Sequence, residues 1–249
     1  MTYNLRWMHH VPPADQTKLD EKIHNLTTKM NEATEQLDLL CLEEGTLGDK
    51  IGTKLGLPHA IKADKISIWL LSRYPILQHG TLGAEATRQK FALWADIKVD
   101  QDTFRVFALH LQSNKITNEA EELMEEIRFQ EKETWVQMKD ILSKYRKATA
   151  IRADQARMLR TYIVESPFPV IVCGDFNDTP QSNAYQVISE GLHDSFVDAG
   201  KGIGTTYAGH LPALRIDYLM CSPSFKVKSH KVLDWDYSDH YPVIAEFQY

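Results

Sequence analysis

Cysteine is scarce in this sequence: Cys41, Cys173 and Cys221 are the three among 249 residues. The number is odd and no C-x-x-C pair occurs. A disulfide-stapled scaffold is thereby excluded, and a Cys/His zinc cluster gains no support. Cys41 and Cys173 lie inside apolar runs and read as buried free thiols. A basic excess is also missing, because 34 acidic residues outweigh 28 basic ones for a formal net charge of -6. That disfavours a protein that coats nucleic acid non-specifically, though not an enzyme that grips a few phosphates. No apolar run approaches the ~18 residues of a membrane-spanning helix, and no signal-peptide pattern opens the chain. Low-complexity linkers and short repeats are absent. The first residues, MTYNLRW, already read as a strand, so a domain cut from a longer protein is expected and the compartment is left open.

What is present is an ordinary globular composition, 43% hydrophobic and 25% charged, enough for one large domain. Thr2–Trp7 reads as a short strand. Leu19, Ile23, Leu26, Met30 and Ala33 recur at spacings of three and four, which predicts an amphipathic helix over 15–36. Strands are expected at 37–43, 66–71, 169–173, 214–221, 225–233 and 242–248. A hairpin is expected from 91–99 and 103–111, where apolar residues alternate on both sides of Asp100-Gln101-Asp102. The Glu- and Lys-rich stretch 117–147 reads as one long or two shorter surface helices that act as a solvated cover, and a further helix is expected over 150–165. Alternating strands and helices around a central hairpin fit an α/β domain of packed sheets.

Polar residues recur where these strands end. In GDFNDTP at 174–180, Asp175 and Asn177 lie two apart just past a buried strand. Extended chain would put both on one side, where they could orient a water and hold a phosphate oxygen; an Asx-rich turn is the equal alternative. Asp217 sits inside the strand RIDYLM and needs a partner. His240, in SDHYPV, is a candidate, since a carboxylate fixes an imidazole's tautomer and favours its charged form. His110, in FALHLQS, shares a strand face with Ala108 and Gln112. Asn4 lies on the first strand. Residues 41–45, CLEEG, close an apolar run with two carboxylates, Glu43 and Glu44.

Each signal is modest alone, but their order along the chain resembles the endonuclease/exonuclease/phosphatase superfamily, the group that includes deoxyribonuclease I, AP endonucleases, neutral sphingomyelinases and inositol polyphosphate phosphatases. The resemblance runs from Thr2 to Phe247 and rests chiefly on GDFN together with the terminal SDH. It implies a four-layer α/β sandwich, two mostly antiparallel β-sheets face to face with helices outside, formed by a single catalytic domain over 1–249. It also implies roles: Glu44, with Asn4 and Asp239, as ligands to Mg²⁺, for which Mn²⁺ can substitute; Asp175 as the residue that orients or deprotonates the attacking water; Asn177 as a phosphate- or water-positioning group; His240, held by Asp217, as the imidazole facing the scissile phosphate; His110 as the second histidine of the nuclease and sphingomyelinase branches. HLQS, RADQA and RIDYLMCSP resemble a bacterial subgroup whose members often carry membrane-spanning helices, which would make a membrane tether part of a longer parent chain.

The activity implied is metal-dependent hydrolysis of a phosphodiester, with DNA as the leading substrate and Arg6, Trp7 and Gln112 as substrate contacts. A phospholipid phosphodiesterase or an inositol phosphate-like phosphomonoesterase on the same site is the alternative, and a non-catalytic binding module is a third. No obligate protein partner is evident. Because the superfamily usually carries Gln-Glu at the strand end, Glu44 is the match and Glu43 the departure. Strand alternation sends the two to opposite faces, so Glu44 is expected at the metal and Glu43 against an Arg, a Lys or solvent.

Overall fold

The run Val170–Asp175 is apolar along its whole length because both of its faces are covered. Val170 and Val172 pack toward helices, whereas Ile171 and Cys173 pack toward a second sheet, the arrangement that makes a strand read as continuous rather than alternating. The structure, a computed structural model, describes residues 1–6, 16–63, 66–84, 89–113, 132–209 and 213–249. In chain order the elements begin with β1 (Thr2–Asn4), α1 (Gln16–Ala33), β2 (Leu39–Glu43), α2 (Gly48–Leu55), β3 (His59–Lys62) and β4 (Ile68–Ser72). The middle of the chain forms β5 (Ile76–Ala84), β6 (Gln89–Val99), β7 (Asp102–His110), α3 (Lys132–Val164) and β8 (Val170–Asp175). The last part forms α4 (Asn183–Ser189), β9 (His193–Asp194), α5 (Ser195–Ala199), β10 (Asp217–Cys221), β11 (Lys226–Val232) and β12 (Val243–Gln248).

Two six-stranded sheets result, in the orders β11-β12-β1-β2-β4-β3 and β5-β6-β7-β8-β10-β9. Each holds one parallel pair at its centre, β1 with β2 and β7 with β8, and is antiparallel elsewhere. Three apolar clusters separate the layers. One lies between the sheets, joining Cys41 and Leu70 of the first to Leu93, Val106 and Cys173 of the second. Another packs Ile23, Leu26 and Met30 of α1 on Tyr3 and Leu40. The third packs Ala156, Leu159 and Ile163 of α3 on Phe107 and Val172. Helix, sheet, sheet, helix is the four-layer sandwich that the sequence pattern implied.

The parallel pairs and the antiparallel returns bring the polar strand ends to one rim. Asn4 is opposite Glu43 at the ends of β1 and β2. In the other sheet, His110 is opposite Asp175, and Asp175 is opposite Asp217, so three polar residues form one row across β7, β8 and β10. Gly174 makes this row possible: a Cβ there would lie 2.1 Å from the Leu109 carbonyl oxygen, and its φ is +134°. Only glycine lets β8 approach β7 so closely at that point.

Several boundaries depart from expectation. The first strand stops at Asn4, not Trp7, because Arg6 turns to φ +37°; Trp7 lies outside the described residues, as does 114–131. From Lys132 onward the charged cover and the helix expected over 150–165 are one continuous helix to Val164. That stretch contains neither Gly nor Pro, and Ala, Lys and Arg are its commonest residues, so nothing in it favours a break. The α2, β3, β5, α4, β9 and α5 segments were not expected. Among the described residues no helix is long and apolar enough to cross a membrane.

Candidate active site

Asp175 is the hub of the rim. It is 1% exposed, and its carboxylate accepts from the Asn177 backbone N–H (2.7 Å), the Asn177 Nδ2 (3.0 Å) and the Asn4 Nδ2 (3.0 Å). The Asn4 bond crosses the sandwich and ties the two sheets together at the rim. Asn177 adopts φ +52°, a conformation asparagine tolerates better than most residues. Its Nδ2 also donates to the Leu111 carbonyl (3.1 Å). The chain is thus an Asx turn here and not the extended segment that would have put Asp175 and Asn177 on one side; the turn itself fixes the direction of the Asp175 carboxylate.

His110 Nε2 lies 3.5 Å from a Glu44 oxygen and 3.7 Å from an Asp175 oxygen, is buried, and has no hydrogen-bond partner. A buried, unmatched donor or acceptor is costly, and here it faces two carboxylates across a gap. His240 closes the other side. Its Nδ1 lies 3.1 and 3.0 Å from the two Asp217 oxygens, and its Nε2 lies 3.9 Å from Asp175. Desolvation alone would lower the imidazole, but the Asp217 and Asp175 charges outweigh it and hold it up to about 10. Desolvation likewise pushes the Asp217 carboxyl up, opposed by His240; with an imidazolium at 3.0 Å, the pair reads as a charged His–Asp couple with Nδ1 donating. Asp217 is itself fixed from behind, since its backbone N–H and that of Ile216 both donate to Thr206 Oγ1 (3.0 and 2.9 Å). The Tyr207 ring stands edge-on to His240 at 5.6 Å between ring centres.

Strand alternation does not govern the pair Glu43 and Glu44: β2 ends at Glu43, and a φ of +51° at Glu44 turns that side chain to the rim, toward His110 of the other sheet, rather than to the opposite face. The expected partner of Glu43 is not there. It is fully buried on the Cys41 side, between the sheets, where Oε1 accepts from Thr2 Oγ1 (2.8 Å) and Cys41 Sγ (2.9 Å) while Oε2 has no partner. Among the described residues no Arg or Lys bonds to it; desolvation pushes the carboxyl up to about 8, which favours the neutral, protonated form. A protonated Glu offers one donor and one acceptor, the neutral pattern of a glutamine. For an acid whose folded value is raised from an ordinary 4.5 to about 8, stability is lost as pH rises through that window. Glu43→Gln is therefore expected to match the wild type at pH 4 and to exceed it by up to a few kcal/mol at pH 9. Chemical denaturation at the two pH values checks this, and an equal difference at both would refute it.

Asp239 and Arg6 form an ion pair at the rim, and Ser238 Oγ donates to the Asn4 carbonyl (2.7 Å), locking the SDH turn onto β1. Among the described residues, one oxygen or nitrogen from each of Asp175, Asp217 and His240 falls within 4.8 Å of the others, close enough to share a cation. Both Asp217 oxygens already face His240, however, which makes this trio a poor set of ligands. The Asn4 oxygen accepts from the Arg6 backbone N–H (3.0 Å) and Asp239 is paired with Arg6; among the described residues Asp175, Asp217, Glu44 and Asp239 stand against His240 and Arg6 in this network, an excess of negative charge that would suit a hard cation. Gln112 is not brought into it, because its side chain donates to the Ser113 carbonyl. Thr206, which sequence reasoning passed over, takes part, as do Ser238 and, behind the rim, Arg152, which it quoted within SDH and RADQA without giving them a role. Arg152 carried a signal, since it falls on the same helical stripe as Gln155, Ala156, Leu159 and Ile163.

Residues 1–240 match the model of the Endonuclease/Exonuclease/phosphatase family. Among solved structures, a Bacteroides thetaiotaomicron protein of that family is similar at a TM-score of 0.68 and 20% identity, over 99% of this chain and 95% of that one. A mannosyl-6-phosphatase of the same organism is similar at 0.66 and 20%, over 100% and 98%. A 3′ phosphatase from Neisseria, solved with a product DNA hairpin, is similar at 0.66 and 17%, over 100% and 98%. No match is found among curated proteins. At these identities the structural likeness speaks to fold.

Proposed function

This chain belongs to the endonuclease/exonuclease/phosphatase family and is a phosphoester hydrolase at that level, and from that premise we propose that it is a Mg²⁺-dependent phosphodiesterase acting on DNA by in-line attack of water on phosphorus. The observation that carries the reading is the convergence on Asp175: a buried carboxylate, aimed by Asn4 and Asn177, with the Nε2 atoms of two imidazoles within 3.9 Å of it.

Glu44, Asn4 and Asp239 are the residues that would hold the cation. Bound there, Mg²⁺ would neutralise the phosphate and the charge that builds in the transition state. The rest falls to side chains. Asp175 orients a water and accepts its proton. Asn177 keeps the carboxylate from rotating. His240, charged and fixed by Asp217, presents Nε2–H to a phosphoryl oxygen, and the unmatched His110 Nε2 supplies a second polar contact. Arg6 is placed to meet a backbone phosphate, with Asp239 as its partner when no substrate is bound.

DNA is supported by the similarity to the DNA-bound Neisseria 3′ phosphatase. A phosphomonoester is the second reading, supported by the similarity to the mannosyl-6-phosphatase at the same TM-score. A hydrolysis panel separates them: duplex and single-stranded DNA, bis(4-nitrophenyl) phosphate, sphingomyelin, inositol phosphates and a hexose 6-phosphate, each with Mg²⁺, Mn²⁺ and EDTA. The expected result is DNA cleavage that EDTA abolishes. Phosphate release from the sugar phosphate without DNA cleavage would transfer the proposal to the second reading. No hydrolysis of any substrate would overturn both.

A further inference from the structure

Arg152 is the largest side chain buried to 0% exposure, and it lies outside the row of groups described above. Toward the described residues its guanidinium makes three bonds. Nε donates to Asp178 Oδ2 (2.8 Å), Nη1 to the Gln112 carbonyl (3.0 Å) and Nη2 to Thr149 Oγ1 (3.0 Å) on its own helix. Asp178 is the residue after Asn177, and Gln112 is the second residue after His110. One cation thus grips the two chain segments that leave β7 and β8 immediately beyond the row. Gln155, one turn along α3, completes the grip by accepting the Gln112 backbone N–H (2.9 Å). Tyr218 Oη, near both the Asp178 and Arg215 carbonyls (2.9 and 2.6 Å), links the second segment to the start of β10.

We propose that Arg152 is a positioning residue for phosphoester hydrolysis: from α3 it sets the distance between the His110 and Asn177 segments, and so the aim of the Asp175 carboxylate. The inference rests on the reading of the rim as the catalytic centre. A buried ion pair is a weak source of stability compared with apolar side chains of the same size. What it supplies is direction, since a planar fork with several N–H vectors fixes three acceptors at once. The coupling to chemistry is short. Asn177 Nδ2 donates both to the Leu111 carbonyl and to Asp175, and Leu111 lies between His110 and the clamped Gln112. If the two segments part, that shared donor must give up one of its acceptors.

Arg152→Lys keeps the charge but gathers the donors at one point. The expected result is a folded protein whose kcat falls about 10- to 100-fold with KM little changed. In an Asn177→Ala background the same substitution should cost much less, because the group through which it acts is already gone. A readout independent of turnover is the Asn177 side-chain amide in a ¹⁵N NMR spectrum, expected to shift or broaden in Arg152→Lys. Gln155→Ala, which removes only the Gln112 acceptor, is expected to move the same signal and carries the test if Arg152→Lys does not fold. A folded variant with wild-type kcat and an unmoved Asn177 amide would overturn the proposal, as would an equal loss in both backgrounds. If the wild type hydrolyses nothing, the catalytic reading fails separately, and the amide signal alone decides whether the clamp exists.

Discussion

Replacing Asp175 with asparagine is expected to lower turnover on the order of a thousandfold while the protein still folds. The carboxylate is the group in the network aimed by three N–H donors and also close to both histidines. Asparagine keeps one oxygen to accept from the Asn177 backbone, so the turn survives. It puts an amide N–H₂ where Asn4 and Asn177 also donate, and that conflict costs roughly 1–3 kcal/mol. Against it, one negative charge is removed from beside Asp217 and Glu44, which offsets part of the loss. Chemically the substitution removes the proton acceptor. Thermal melting together with initial rates on the preferred substrate checks both halves; a folded Asp175→Asn variant with wild-type turnover would remove Asp175 from the mechanism.

His240→Ala is expected to cost turnover about a hundredfold to a thousandfold, the loss typical of a missing donor to a developing oxyanion. The imidazole is held charged by Asp217 and Asp175 against the effect of burial, up to about 10 from an ordinary 6.5. The sign follows directly. Its contribution to stability is complete below pH 6.5 and is lost as the pH climbs through about 10. Across neutral pH it therefore donates rather than accepts, and Asp175 is left as the base. Imidazole NMR through a pH titration should show His240 protonated at pH 8, and an ordinary titration near 6.5 would reassign it as a neutral base. Removing the ring also leaves Asp217 buried without its counter-charge, so some loss of stability is expected in the same variant.

Much of this was legible in the chain. The spacing of Leu19, Ile23, Leu26 and Met30 gave α1, and the apolar run before Gly174 gave a strand covered on both faces. GDFN with SDH pointed to the family and, through it, to the sandwich. What the chain could not show was register. That His110, Asp175 and Asp217 stand in one row depends on parallel pairing of β7 with β8 across a long connection, and no local pattern encodes it. Glu43 is the instructive case. Alternation was expected to send Glu44 to the other face, but a turn at positive φ brings it to the rim instead, and the neutralisation of Glu43 was sought in another charge, whereas burial beside Thr2 and Cys41 favours its protonated form. Arg152 was quoted within RADQA but given no role, although the apolar stripe on which it falls was a sign that it is buried. The α2, β3, β5, α4, β9 and α5 segments were missed because they are short or weakly patterned, and packing rather than local preference fixes them.

Hydrolysis in ¹⁸O-labelled water tests the central claim most directly. If water aimed by Asp175 attacks phosphorus, ³¹P NMR will show one ¹⁸O in the phosphoryl product and mass spectrometry will show none in the released alcohol, with product formation lost in Asp175→Asn. Label in the alcohol, or labelled product at the wild-type rate from Asp175→Asn, would contradict the account.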